Sequence, residues 1–69
     1  MTHEWRAVIM QGGVAVAQCH ANNEAAARRE GAHYLMMYGQ DGPAQMQVSE
    51  KRNGRWARAS ATPAPAPPA

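Results

Sequence analysis

The sequence predicts an α+β fold of the order ββαββ, in which an antiparallel sheet carries one helix packed on one face. Two observations predict the strands. The first is the presence of runs rich in β-branched and aromatic residues, and the second is that the dipeptides Gly12-Gly13 and Asn53-Gly54 join these runs in pairs. Such dipeptides favour two-residue hairpin turns, because both positions tolerate a positive φ. A third observation predicts the helix, since the alanine-rich stretch between the hairpins changes to helical spacing.

The first hairpin is formed by the segments EWRAVIM and VAVAQCH. Its two-glycine turn pairs Met10 with Ala15 and Ile9 with Val16, and side chains along each strand alternate between the two faces. One face then holds Trp5, Ala7, Ile9, Val14 and Val16, and the other holds Arg6, Val8, Met10, Ala15, Ala17 and Cys19. Both faces are largely apolar, but a single helix covers only one of them. We therefore predict a homodimer interface made of Val8, Met10, Ala15, Ala17 and Cys19.

The helix is predicted to begin at Asn22 or Asn23, whose side chain can cap it, with Glu24 in the first turn. At about 100° per residue, one arc of this helix collects its apolar residues. They are Ala27, Gly31, Tyr34, Leu35 and Tyr38. Glycine costs up to about 1 kcal/mol in a helix interior. Because Gly31 lies on the apolar arc, we expect the helix to approach the sheet closely there.

The second hairpin decides where the tryptophan at its tip lies. The alternation in its first strand keeps Met46 and Val48 on the inner face. With a two-residue turn, Trp56 then lies on the outer face between Lys51 and Arg58, whose cations can stack on the indole ring. A three-residue loop would reverse the faces and turn charged side chains inward, which costs more than a half-exposed tryptophan.

The basic tip of this hairpin is the candidate partner-binding site, and its residues are Lys51, Arg52, Arg55, Trp56 and Arg58. Three roles fit this composition. Trp and Arg are enriched among the residues that dominate protein–protein binding, a basic β-ribbon can contact a nucleic acid, and charges on a sheet edge also prevent aggregation. Protein contact is favoured over nucleic acid, because seven Lys and Arg residues are few for phosphate-driven binding.

Chain length and composition favour oligomerisation. A chain of 69 residues with fifteen alanines and no Phe has little apolar area to bury. Domains this small usually gain stability from disulfides, metals or oligomerisation, and one cysteine cannot form a disulfide within the chain. Residues 1–60 are predicted to form a single domain, and the alternating Ala and Pro of residues 61–69 predict a disordered tail.

A cytoplasmic location without membrane contact is expected from three observations. The lone cysteine suits a reducing compartment. No apolar run approaches the length of a transmembrane helix. The first residues, MTHEWRAV, lack the basic start and apolar stretch of a signal peptide.

No catalytic residue, metal site or cofactor is predicted, and the protein is not expected to be an enzyme. Cys19 and His20 are neighbours on a strand and therefore point to opposite faces, so the imidazole cannot act as base for the thiol. His3 and His33, taken with these two residues, match no common zinc-ligand spacing. Asp41, in the segment YGQDGP, is typical of a turn.

The layout resembles small ββαββ accessory proteins of bacteria and phages over most of residues 4–59. The likeness rests on EWRAV opening a strand, on NNEAAARREGA in the helix and on YGQDGP leading into the second hairpin. It implies a phage or mobile-element protein that binds and modulates a larger host protein. We therefore predict a non-enzymatic, homodimeric interaction module that inhibits a larger host or cellular protein. The alternative is a small nucleic-acid-binding or transcription-modulating protein that uses the basic hairpin at residues 51–58.

Overall fold

A computed structural model describes residues 4–63 of the chain and confirms the predicted ββαββ order. The elements are β1 (Trp5–Gln11), β2 (Val14–Ala21), α1 (Glu24–Gly39), β3 (Gln45–Arg52) and β4 (Arg55–Pro63). The strands form one antiparallel sheet in the order β2-β1-β3-β4. The two hairpins therefore pair through β1 and β3, and β2 and β4 are the edges of the sheet.

Both predicted hairpin turns are confirmed by the backbone geometry. Gly12 and Gly13 have φ angles of 61° and 77°, and Asn53 and Gly54 have φ angles of 50° and 78°. Positive φ at both central residues defines the turn whose twist matches that of the flanking strands. Glycine and asparagine adopt this conformation at little cost, which is why these dipeptides fix the two turns.

An irregularity in the first hairpin overturns part of the predicted arrangement of faces. Met10 pairs with Ala15 as predicted, but Ile9 pairs with Ala17 rather than Val16. One extra residue in β2 reverses the face of every later side chain in that strand. Ala17 and Cys19 therefore lie on the helix side and pack against the core, so their predicted placement on the outer face was wrong.

A second irregularity lies in β4. Ser49 pairs with Arg58, but the preceding residue of β3, Val48, pairs with Ser60, so Ala59 is the extra residue. Beyond it, β4 continues to Pro63, which pairs with the first residue of β3. The predicted boundary at residue 60 therefore falls inside a strand. Proline is compatible with this strand because it lies at the end of an edge strand. Residues 64–69 of the predicted tail lie outside the described residues.

Helix α1 covers one face of the sheet and closes the core. The Asn23 side chain accepts a hydrogen bond from the N–H of Ala26 at 2.8 Å, which confirms the predicted cap. The buried apolar residues are Ala7, Ile9, Ala27, Leu35, Ala44, Met46 and Val48. Ile9 and Val48 are the largest side chains that are fully buried, so the core of the described residues is small.

Gly31 marks the closest approach of the helix to the sheet, as predicted. A Cβ atom at this position would lie 2.7 Å from the Cβ of Ala7 and 2.5 Å from the Sδ of Met46. Real carbon atoms do not approach so closely without displacing a neighbour. The residue without a side chain therefore sets the distance at which the helix packs on β1 and β3.

Candidate interaction site on the open face of the sheet

The face of the sheet opposite α1, called the open face below, carries a mixed set of polar and apolar side chains. The strand register gives its members as Arg6, Val8, Met10, Ala15, Gln18, His20, Gln45, Gln47, Ser49, Lys51, Trp56, Arg58, Ala61 and Pro63. Arg6 lies in the same cross-strand row as His20, Ser49 and Arg58, so every strand contributes to that row. Alternation along the strands separates this set from the core.

Trp56 lies across the open face rather than extending from the hairpin tip. The guanidinium carbon of Arg6 is 4.2 Å from the centroid of the indole ring. The His20 ring centroid is 5.9 Å from the indole, and the Lys51 Nζ is also 5.9 Å from it. These four residues are called the tryptophan cluster below. Arg6 belongs to β1 and His20 to β2, and β3 lies between these strands and β4. The side chain of Trp56 therefore crosses over β3 to reach them, and Ser49 of β3 is buried.

The geometry of Arg6 is that of a cation–π contact with a partly buried cation. The planar guanidinium stacks on aromatic faces, and such contacts contribute about 0.5–1 kcal/mol at exposed sites and more when desolvated. The Nε of Arg6 is buried and has no hydrogen-bond partner within residues 4–63. The guanidinium is therefore positioned by packing against the indole and keeps an unused donor.

Lys51 is held at the edge of the cluster by the start of β1. Its backbone N–H donates to the carbonyl of Glu4 at 2.9 Å, and its Nζ lies 3.7 Å from a carboxylate oxygen of the same residue. An exposed ion pair of this kind contributes about 1 kcal/mol or less. The charge of Lys51 is thus only partly offset, and the surroundings of Trp56 remain basic.

The structure divides the predicted partner-binding residues between two faces. Lys51, Trp56 and Arg58 lie on the open face, so the predicted face of Trp56 is confirmed. Arg52 and Arg55 pair with each other one position further toward the turn and lie on the helix side. Arg52 donates two hydrogen bonds to the Glu50 carboxylate, at 3.1 and 3.4 Å. Arg52 and Arg55 do not surround the indole, because side chains at adjacent positions of a strand point to opposite faces of the sheet.

The sequence pattern does not predict the two other members of the tryptophan cluster, Arg6 and His20. Arg6 was assigned to the outer face of the first hairpin, but nothing in the sequence indicated that this hairpin lies beside the second. Regular pairing from the two-glycine turn would put His20 on the helix side, and the extra residue in β2 reverses its face. Its polarity, between two apolar neighbours, was the available indication that it faces outward.

The predicted dimer residues are also divided. Val8 and Met10 lie half-buried on the open face, and Ala15 is exposed there. Ala17 and Cys19 contact the core, and the Cys19 thiol lies 3.8 Å from the carbonyl oxygen of Ala27. Residues in these positions support the helix and offer no outer surface on the open face.

The two residues with nucleophile and base potential lie on opposite faces, as predicted. Cys19 packs under the helix, whereas His20 contacts the indole on the open face. Burial, reinforced by the negative charge of Glu30, raises the pKa of the Cys19 thiol. A nucleophilic cysteine needs the opposite shift, because the thiolate is the reactive form.

The structure also bears on the zinc ligands and the membrane-spanning segment that the sequence argues against. No group of three or more His, Cys, Asp or Glu side chains within residues 4–63 is arranged to hold a metal ion, and His3 lies outside this range. No helix in the described part of the chain is both long and apolar enough to cross a lipid bilayer.

The chain matches no protein-family model, no curated protein and no solved structure.

Proposed function

We propose that the protein is a small, non-enzymatic interaction protein of the cytoplasm that acts as a homodimer, binds a larger protein through the tryptophan cluster and inhibits it. The observation that carries this proposal is the packing of Arg6 against Trp56, at 4.2 Å, on the sheet face that the helix does not cover. Trp and Arg are the residue types most enriched among those that dominate binding energy in protein interfaces.

The rigidity of the site supports this role. Trp56 is held over β3 by contacts with residues of two other strands, so its side chain is largely positioned before a partner arrives. Prior positioning lowers the entropic cost of binding, which for a flexible side chain is about 0.5–1.5 kcal/mol. The apolar side chains of Val8 and Met10 extend the same face and supply contact area beside the cluster.

Paired variants on the two faces of the second hairpin test the proposal. Trp56→Ala and Arg6→Ala should abolish capture of the target from a lysate of the source organism by the immobilised protein. Arg55→Ala removes an exposed cation from the helix side and should leave capture unchanged. Equal capture by all three variants would contradict the proposal, provided that circular dichroism shows each variant to be folded.

Nucleic acid is the second candidate ligand, and the basic surroundings of the indole favour it. Arg6, Lys51 and Arg58 share the open face with Trp56, and aromatic rings on a sheet can stack on the bases of single strands. With at most three phosphate contacts, log K against log salt would have a slope of about −2, since each contact contributes about −0.7 for a single strand. A titration with single-stranded oligonucleotides that shows this slope and is lost in Trp56→Ala would favour nucleic acid over protein.

A further inference from the structure

The two edges of the sheet differ in how they are protected from pairing with another strand. Edge strands expose unpaired N–H and C=O groups, and proteins shield them with charges, proline or bulges. Edge strand β4 has all three of these features, in Arg55 and Arg58, in Pro63 and in the extra residue Ala59. Pairing of β4 with a copy of itself would also bring like charges together.

Edge strand β2 lacks such protection over most of its length. Its eight residues, VAVAQCHA, include no Lys, Arg, Asp, Glu or Pro. Its one irregularity is the extra residue near its start, Val16, so the segment from Ala17 to Ala21 pairs regularly with β1. The outer edge of that segment is available for a further strand.

Exposed apolar side chains accompany this edge. The large hydrophobic residues that are exposed in the described part of the chain are Val14, Met36 and Met37, with exposures of 61%, 61% and 48%. Val14 opens β2 itself. Met37 lies seven residues, or about two turns, after Glu30 and therefore on the same side of α1.

That side of the helix faces β2, because Glu30 lies about 200° around the helix axis from Arg28, and the hydroxyl of Tyr38, the residue after Met37, donates to the Val16 carbonyl of β2 at 3.2 Å. The opposite flank is fixed by Arg28, whose guanidinium donates to Ser60 of β4 at 2.7 Å. Met37 is thus exposed on the flank of the helix beside β2. Met36, one residue earlier, is rotated by about 100° from it and points away from that edge.

We propose that two copies of the chain form the homodimer by antiparallel pairing of β2 with β2, which creates a continuous eight-stranded sheet. A two-fold axis makes such a pairing self-complementary, and two uncharged strands do not repel each other. The Met37 side chains extend the contact above the paired strands. The second copy is the occupant because β2 carries no charged side chain and its unpaired backbone N–H and C=O groups complement those of an identical strand.

This arrangement replaces the predicted dimer interface on the open face. Ala17 and Cys19 are turned to the core, so the predicted dimer residues that remain on the open face are Val8, Met10 and Ala15. They lie beside Arg6 and the other cations of that face. Face-to-face packing would bury those cations against their copies, which is costly. Edge pairing instead leaves both open faces uncovered and on the same side of the joined sheet.

One consequence rests on the proposed function. A larger protein would meet two tryptophan clusters on one surface, so a target with two equivalent sites would gain avidity without any new contact. Pairing through β2 does not itself require that target, and it can be tested without one.

Distances between spin labels identify the edge that pairs. Gln18 and Ala61 are exposed residues in the same cross-strand row of the open face, at opposite edges. Each is replaced by a labelled cysteine in a Cys19→Ala background, which removes the single native thiol. With strands about 4.8 Å apart, pairing through β2 places the backbones at position 18 within about 10 Å of the partner's, and those at position 61 seven strands or about 34 Å apart.

The expected result is a short label distance at position 18 and a long one at position 61. A short distance at position 61, or equal distances at both positions, would overturn the proposal. A monomer at about 100 μM in sedimentation would also overturn it, since an assembly with a Kd in the micromolar range is dimeric at that concentration.

The adjacent methionines provide a matched pair of variants. Met37→Glu should weaken the dimer at least about tenfold, because it would place a carboxylate in a contact without a partner for its charge. Met36→Glu introduces the same charge one position away and should leave the Kd unchanged. An unchanged Kd in Met37→Glu would contradict the proposed contact. Trp56→Ala should not affect dimerisation, so failure of target binding and failure of the dimer are separately observable.

Discussion

Substitution of Trp56 by alanine separates a role in binding from a role in folding. Complete removal of a buried tryptophan costs about 3–5 kcal/mol of stability, which would unfold so small a domain. Trp56 is only half-buried, and its ring lies on an uncovered face, so its loss leaves no closed cavity. The main loss is the contact with Arg6, which contributes about 0.5–1 kcal/mol if solvated and about 2 if desolvated.

We therefore expect Trp56→Ala to lower the free energy of unfolding by about 1–2 kcal/mol in urea titrations. Water would reach the buried Nε of Arg6 in this variant, which offsets part of the loss. If Trp56 anchors a partner, the same change should weaken binding by more than about 2 kcal/mol. A stability loss of about 4 kcal/mol would show that the indole is part of the core and would refute this reasoning.

Fluorescence gives an independent check before any partner is known. A Trp5→Tyr background leaves Trp56 as the single tryptophan. The nearby cations of Arg6 and Lys51 should attract iodide and repel caesium, so iodide should quench Trp56 more strongly than caesium does. Blue-shifted emission that neither ion quenches would mean that the open face is covered in the free protein, and edge pairing through β2 would then need revision.

Three further predictions concern the contacts that hold the helix. Gly31→Ala should destabilise the fold by about 1–2 kcal/mol, because overpacking against Ala7 exceeds the gain of about 1 kcal/mol in helix preference. Helix preference alone predicts that this substitution stabilises the fold. The control Ala32→Gly, at an exposed position of the same helix, should lower stability by about 1 kcal/mol. Tyr38→Phe should cost about 0.5–1.5 kcal/mol in thermal or urea unfolding, since the hydroxyl donates to a carbonyl of β2. Burial raises the pKa of the Cys19 thiol above its ordinary value of 9.0, so stability should be full below about pH 9 and fall as pH rises through the folded-state pKa. Cys19→Ala should abolish that alkaline loss.

The sequence predicted the elements, the two turns and the face of Trp56 because each depends on local chemistry. Positive φ at Gly13 and Asn53 is a property of the dipeptide in which each lies. Alternation from Met46 to Val48, carried through a two-residue turn, then determines the side of the sheet on which the indole lies. The placement of Gly31 followed from helical spacing and the cost of glycine within a helix.

The two extra residues in β2 and β4 were missed because no residue type marks them. Val16 and Ala59 lie in runs of ordinary strand formers, without the glycine that accompanies some bulges. The polar residues Gln18 and His20, which alternate with apolar neighbours, indicated the correct faces for the end of β2. Regular pairing from the two-glycine turn predicts the opposite faces, which is wrong for Ala17 and Cys19.

The contact between Arg6 and Trp56 could not be predicted from either hairpin alone. The two residues are fifty positions apart in the chain and belong to strands that do not pair with each other. They meet only because β1 pairs with β3, so that a long side chain from β4 can cross one strand. The order of hairpins within a sheet is a long-range property, and hydrophobic alternation is the same for every such order.

The extra residue in β2 connects the stability of the domain with the composition of the candidate site. With regular pairing, His20 would face the helix and Cys19 would lie on the open face beside Arg6. The bulge exchanges them, which gives the core an apolar side chain and adds an imidazole beside Trp56 on the outside. The cost of one unpaired residue in the strand is therefore offset by avoiding a buried polar ring, whose desolvation without a partner costs about 1–3 kcal/mol. The same exchange removes apolar area from the open face, so the remaining unprotected surface for self-association is the edge of β2.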